Sequence, residues 1–357
     1  MNDQIVQLAK ELISIPSESN NCKEIKKIID FTKNILDEYT QTNFEKNGSP
    51  SLLISNKDKK TQSFKIILNL HLDVVPGNKK QYSPYVQGGK LYGRGSYDMK
   101  SAAAAMIIVF KKLAKQVNYP LALQIVIDEE TGGFNGTKYQ VDQGIRGEYI
   151  IAGENTDLKI NNSSKGILWV KIVTKGKSGH GAYPWLGKNA IWEMKKNLDR
   201  LENTYPIPIK DAWKTTINVA TINTLNETTN KIPDECSMNL DIRYIPEDTD
   251  LIEQKILKLL SKHTEMKIIV KEPSHFSDPR SKYNKLLLKS SEKITGRKGS
   301  FVQKHGGSDV RFFSAVGCEG ITFGPIGQGH HSDNEWVDLK SLNDFSQILK
   351  SFLETVE

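Results

Sequence analysis

The chain has 357 residues, 38% of them hydrophobic and 25% charged, an ordinary soluble balance in a length beyond what one core usually serves. This composition excludes a disordered or low-complexity chain, and the net charge of +7 lies on scattered lysines without a nucleic-acid-binding motif, a field that also suits an anionic small substrate. Three distant cysteines, Cys22, Cys236 and Cys318, argue against a disulfide framework. The N-terminal segment has no signal-peptide core and no stretch suits a membrane span, so a cytoplasmic location with neither membrane nor nucleic-acid partners is expected.

The first 39 residues read as two amphipathic helices broken at Ser14-Ile15-Pro16-Ser17. Phe64 to Leu72 is a nearly continuous apolar run closed by Pro76-Gly77, the pattern of a strand buried on both faces. Met99 to Lys115 is alanine-rich and helical, with Asp98 where an N-cap would sit. Buried strands follow at Leu121 to Ile127, ending in Asp128-Glu129-Glu130, and at Tyr149 to Ala152, ending in Gly153-Glu154. From about Gly166 the pattern changes to long alternating strands, Ile167 to Thr174 and Met238 to Tyr244, around a helix from Asn189 to Leu201. A helix at Tyr283 to Ile294 and a strand at Gly320 to Phe323 restore the first pattern. The second module therefore reads as an insertion, giving domains at 1–165, 166–276 and 277–357, the outer two forming one unit.

Five potential metal ligands, His71, Asp98, Glu130, Glu154 and His331, stand at or just beyond strand ends, where active sites of open α/β sheets form. His71 and Asp73 are two apart, so both leave one face and Asp73 can accept the second imidazole N–H. On an extended chain Glu129 and Glu130 point to opposite sides, so that one can bind metal while the other serves as a base toward water. Taken singly, each residue is more simply a cap, a solvated acid or a structural histidine. Together, acidic clusters after several buried strands are costly to fold without a cation.

The segments His71-Leu72-Asp73-Val74-Val75-Pro76-Gly77, Gly93-Arg94-Gly95-Ser96-Tyr97-Asp98-Met99-Lys100, Asp128-Glu129-Glu130-Thr131-Gly132-Gly133 and Gly153-Glu154 occur in order. They resemble the signatures of the co-catalytic zinc family of aminoacylases, acetylornithine deacetylases, succinyl-diaminopimelate desuccinylases and glutamate carboxypeptidases. The resemblance implies an α/β fold: a mixed-sheet zinc-peptidase catalytic domain with an inserted α+β lid or dimerisation domain. It also implies two zinc ions, replaceable by cobalt or manganese, and a homodimer formed through the lid. Asp98 would bridge the ions, His71 and Glu154 would complete one site, and Glu130 and His331 the other.

By the same resemblance Glu129 is the general base, Asp73 orients His71, and His180 stabilises the oxyanion. Arg243 holds a substrate carboxylate, and Gly307-Ser308-Asp309 forms a substrate-binding loop. Two departures leave alternatives open: Asp157 rivals Glu154, and His330, adjacent to His331, rivals it. The expected activity is hydrolysis of an amide bond in a small peptide or N-acyl amino acid with a free carboxylate. Removal of succinyl or acetyl from a diamino acid is the alternative within the family. A silent binding or scaffolding homologue should have lost ligands or base, and this sequence keeps them.

Overall fold

Along the strand Ser63–His71, Ile66, Leu68 and Leu70 pack into one apolar cluster and Ile67 into another, because successive strand residues face opposite sides of the sheet. The computed structural model describes residues 2–356. They fall into two units; the first comprises the chain through Ser163, Phe276–Val302 and everything from Ser308. The outer ends of the expected catalytic domain, Met1 and Glu357, lie outside the described residues.

The sheet of the first unit runs in the order Thr40–Lys46, Ser49–Ser55, Leu121–Val126, Ser63–His71, Arg146–Ala152, Glu319–Thr322, Ile160–Ser164. The four central strands from Leu121–Val126 to Glu319–Thr322 are parallel, and the flanking pairs are antiparallel, so the sheet is mixed. The hairpin Thr40–Lys46/Ser49–Ser55 was not anticipated from the sequence. Its signal is the Asn47-Gly48 pair, both at positive φ (51° and 76°), the dipeptide that two-residue hairpin loops favour.

The helix Lys100–Leu113 packs against the helices Asn2–Ile13 and Leu339–Thr355. Its Ala102 to Ala105 are fully buried, and the small side chains let neighbouring backbones come close while Met106 and Phe110 fill the remaining space. Truncating Phe110 to alanine would cost roughly 3–5 kcal/mol through lost burial and the cavity left behind. One expectation is corrected here. The N-cap position belongs to Met99, with no side-chain cap bond, and the Asp98 carboxylate is engaged with histidines instead.

The second unit comprises Ser164–His275 and Gln303–Gly307. The four strands of its larger sheet, ordered Thr216–Asn223, Glu235–Tyr244, Gly166–Lys175, Thr264–Glu272, are all antiparallel. Burial alternates residue by residue along Gly166–Lys175 and Glu235–Tyr244, so Leu168, Val170, Ile172, Leu240 and Ile242 face the helices Ala190–Thr204 and Ile252–Leu259. Asn189 caps the first of these helices, its side chain accepting from the Ile191 and Trp192 N–H groups. Among the described residues no helix is long and apolar enough to cross a membrane, and all three cysteines are free thiols.

Candidate metal centre

Register in the central sheet sets the chemistry-bearing strand ends side by side. His71 pairs with Val126 and Asn69 with Ala152, so His71, the Asp128–Thr131 turn and Gly153-Glu154 leave the sheet at one edge. The His71 imidazole is 2% exposed. Its Nδ1 lies 3.1 Å from the Asp73 carbonyl oxygen and 3.4 Å from Asp73 Oδ1, while Nε2 lies 3.3 Å from Asp98 Oδ1 and 3.9 Å from Glu154 Oε1. With Nδ1 directed at Asp73, Nε2 is the nitrogen left facing the Asp98 and Glu154 carboxylates. Burial alone would lower the His71 pKa, but hydrogen bonds to Asp73 and Asp98 drive it well above the ordinary value.

Asp73 does more than the sequence suggested. Besides facing His71, its fully buried carboxylate accepts from the Glu129 N–H at 3.3 Å and the Glu130 N–H at 3.0 Å. One side chain therefore fixes both the imidazole and the acidic turn. That turn is also a correction: Glu129 and Glu130 sit in the single 3-10 turn Glu129–Thr131 rather than on an extended chain. They still separate, Glu130 reaching His331 and Glu129 standing near the Glu154 and Asp98 charges. Burial, and then the Glu154 carboxylate, push Glu129 well above the usual carboxylate range.

The following glycines are braced from behind. A Cβ on Gly133, which has φ of +69°, would come within 2.1 Å of Asp309 Oδ1, so only glycine fits. Asp309 is fully buried and accepts from Thr137 Oγ1 at 2.5 Å, and Arg311 Nη2 donates to the Gly132 carbonyl at 2.6 Å. Asp309, expected within a substrate-binding loop, thus supports the acidic turn. Ser308 beside it is 6% exposed, and its hydroxyl has no hydrogen-bond partner among the described residues.

Asp98 is the hub, and Glu335 holds it. The Glu335 carboxylate accepts from the backbone N–H groups of Gly95 (3.0 Å), Tyr97 (2.9 Å) and Asp98 (3.0 Å) and from Arg94 Nη1 (2.8 Å). Sequence reasoning gave Glu335 no such role, and no spacing rule links residues 237 positions apart. On the other side of Asp98, His330 Nε2 makes a short hydrogen bond to Oδ2, and His331 Nε2 lies 3.5 Å from the same oxygen and 3.0 Å from Glu130 Oε2. Although burial would raise the Asp98 pKa, the imidazoles of His330, His331 and His71 lower it well below the usual range. His331, held by Asp98 and Glu130, is pushed up to about 10.

Two groups emerge, His71–Asp98–Glu154 and Asp98–His330–His331, each with ligand atoms within 4.8 Å of one another. They share Asp98, and their imidazole and carboxylate donors suit zinc and its neighbours. The arrangement fits two cations. Asp157, the rival for Glu154, instead accepts from the Tyr97 hydroxyl at 2.9 Å.

The second unit carries the remaining candidates. His180 is exposed, paired in a two-residue strand with Lys231, and its Nδ1 accepts from the Ala182 N–H at 3.1 Å. That bond selects the tautomer whose Nε2–H is a donor. Arg243 is bound by Asp241 on its own strand, Nε at 2.8 Å and Nη2 at 3.2 Å from the two carboxylate oxygens. Gly307 closes this unit's short second segment.

The chain matches the pattern of Peptidase family M20/M25/M40 over residues 67–355. A succinyl-diaminopimelate desuccinylase of Polaromonas naphthalenivorans (strain CJ2) is 32% identical over 307 residues, 80% of this chain and 75% of that protein. Among solved structures, aminopeptidase PepT from Bacillus cereus superimposes with a TM-score of 0.81 at 20% identity, covering 99% of this chain and 98% of that one. A dinuclear metal binding peptidase from Bacillus subtilis gives 0.73 at 14% identity, covering 99% of both chains.

Proposed function

Because this chain belongs to peptidase family M20/M25/M40, we propose that its metal-dependent amidohydrolase chemistry uses two zinc ions to cleave the amide bond of a small peptide or N-acyl amino acid bearing a free carboxylate. The observation that carries this reading is the convergence of imidazoles and carboxylates on Asp98 beside the Glu129 turn. Asp98 would bridge the ions, with His71 and Glu154 on one and Glu130 and His331 on the other. When bound, the ions would polarise the scissile carbonyl and make water a better nucleophile at neutral pH.

The protein's own groups do the rest. Glu129 accepts the proton of the attacking water and returns it to the departing amine nitrogen, a relay served by a carboxylate whose pKa is raised. Asp73 keeps His71 and Glu129 in position for this. His180 would donate Nε2–H to the developing oxyanion. Arg243, whose Nη1 edge is not used by Asp241, would receive the substrate carboxylate, and Gly307 and Ser308 would hydrogen-bond the substrate backbone.

A homodimer through the second unit is part of the proposal, supported by the open edge strand Thr216–Asn223 and by exposed Trp185, Trp192 and Ile222. Light scattering on eluting protein tests it, and a monomer would leave His180 to act within its own chain or not at all. A cytoplasmic location is proposed as well.

Deacylation of an N-succinyl diamino acid is the second reading, favoured by the 32% identity to a desuccinylase. The deciding experiment is a hydrolysis screen of zinc-reconstituted wild type and Glu129→Gln on dipeptides, N-acetyl and N-succinyl amino acids and N-acyl diamino acids. The expected result is activity on one class that falls about 10²–10⁴-fold in the variant at unchanged zinc content. Equal rates in both proteins would remove Glu129 as the base, and activity on dipeptides alone would remove the desuccinylase reading.

A further inference from the structure

The adjacent histidines show a feature that the assignment of one imidazole to the second ion leaves unused. Consecutive residues of an extended chain point to opposite sides, so His330 and His331 should diverge. They converge. The Ser332 N–H donates to the Gly329 carbonyl at 2.8 Å, closing a turn with the two histidines at its centre, and His331 takes the left-handed φ of +58°. Both rings are thereby brought to one side, with centroids 3.9 Å apart and planes inclined by 41°. Both Nε2 atoms approach the same oxygen, Asp98 Oδ2, and His330 is the nearer.

We propose that His330 is itself a metal ligand, so that the second ion is held by two neighbouring imidazoles, His330 and His331, together with Asp98 and Glu130. The inference rests on the two-ion reading above and deepens it. Asp98, His330 and His331 form the tighter group around that position, all three ligand atoms lying within 4.8 Å of one another. The His330 side chain is 50% exposed and the His331 side chain 43%, so the pair stands at the open side of the buried Asp98, where an arriving ion could be captured. Two imidazoles in one site also favour zinc, nickel or copper over magnesium or calcium, which prefer all-oxygen ligand sets.

The test uses the full chain and reads metal rather than activity. Metal-free wild type, His330→Gln and His331→Asn are titrated with zinc by calorimetry, and the zinc-loaded wild type is crystallised. Asparagine at 331 tolerates the left-handed backbone, and circular dichroism confirms that each variant is folded. Wild type is expected to bind two ions, with His330 Nε2 about 2.0–2.1 Å from one of them. His330→Gln should weaken one of the two binding events at least tenfold and leave the other unchanged.

Two zincs in wild type with His330 Nε2 only hydrogen-bonded to Asp98, beyond coordination distance, would overturn the inference while leaving the two-ion reading intact. Unchanged affinities in His330→Gln would do the same. Fewer than two ions in folded wild type would sink both.

Discussion

His71 and His275 are both buried imidazoles, and their surroundings move them in opposite directions. At the metal centre, burial is outweighed by the Asp73 and Asp98 carboxylates and the His71 pKa rises well above normal. In the second unit, burial acts on His275 and lowers its pKa to about 4. The same residue type at the same depth thus marks two kinds of interior. One is built around positive charge and the other excludes it, and only the first is a place for a cation.

Of the effects that bear on this contrast, the largest is expected on the charge-excluding side. His275 is neutral in both folded and unfolded chains above pH 6.5; below that the unfolded chain binds a proton that the folded chain refuses until about pH 4. Stability should therefore be full above pH 6.5 and fall by roughly 2–3 kcal/mol by pH 4.5 from this group. Urea unfolding of wild type and His275→Gln at pH 7.5 and 4.5 reads the difference, and an identical acid loss in the two proteins would break the contrast.

Asp73→Asn tests the cation-holding side. The substitution keeps the shape but leaves one acceptor oxygen where His71, Glu129 and Glu130 now use two. One zinc should bind about 10–100-fold more weakly by calorimetry, as is typical when a group supporting a ligating histidine is lost. Wild-type affinity would show that the ring and the turn hold themselves in place.

The smallest effect is expected at Arg243, which is one-third exposed and already shared with Asp241. Arg243→Ala should raise KM for a carboxylate-bearing substrate about tenfold, the lower end of what a hydrogen bond to a charged group contributes, with kcat and zinc content unchanged. No change in KM would reduce Arg243 to its ion pair with Asp241.

Much of this is legible in the sequence. Ser63–His71 ends in a histidine, Leu121–Val126 and Arg146–Ala152 are followed within two residues by Asp128 and Glu154, and parallel strands of one sheet deliver their carboxyl ends to the same edge. His71, Asp98, Glu130, Glu154 and His331 could therefore be named together. Glu129-Glu130 was misread as extended because the preceding strand gives no sign of where it stops, and the N-cap position that the sequence pattern also assigned to Asp98, because an acid before a helix usually holds it, belongs to Met99. The support given by Asp309 to Gly133 and by Glu335 to the Asp98 loop left no local trace.

The sequence by itself determined where the four central strands of the first sheet run, which chemical groups stand at or beyond their ends and that an α+β module interrupts the first pattern, because periodicity and burial are written within a few neighbouring residues. Only the tertiary structure decided that Asp73 would hold a ring and a turn at once, that Glu335 would grip a loop 237 positions away and that both His330 and His331 would reach one oxygen of Asp98. Those contacts are set by distances of a few ångströms between remote segments, and such distances depend on how the whole sheet and its helices pack rather than on any local rule.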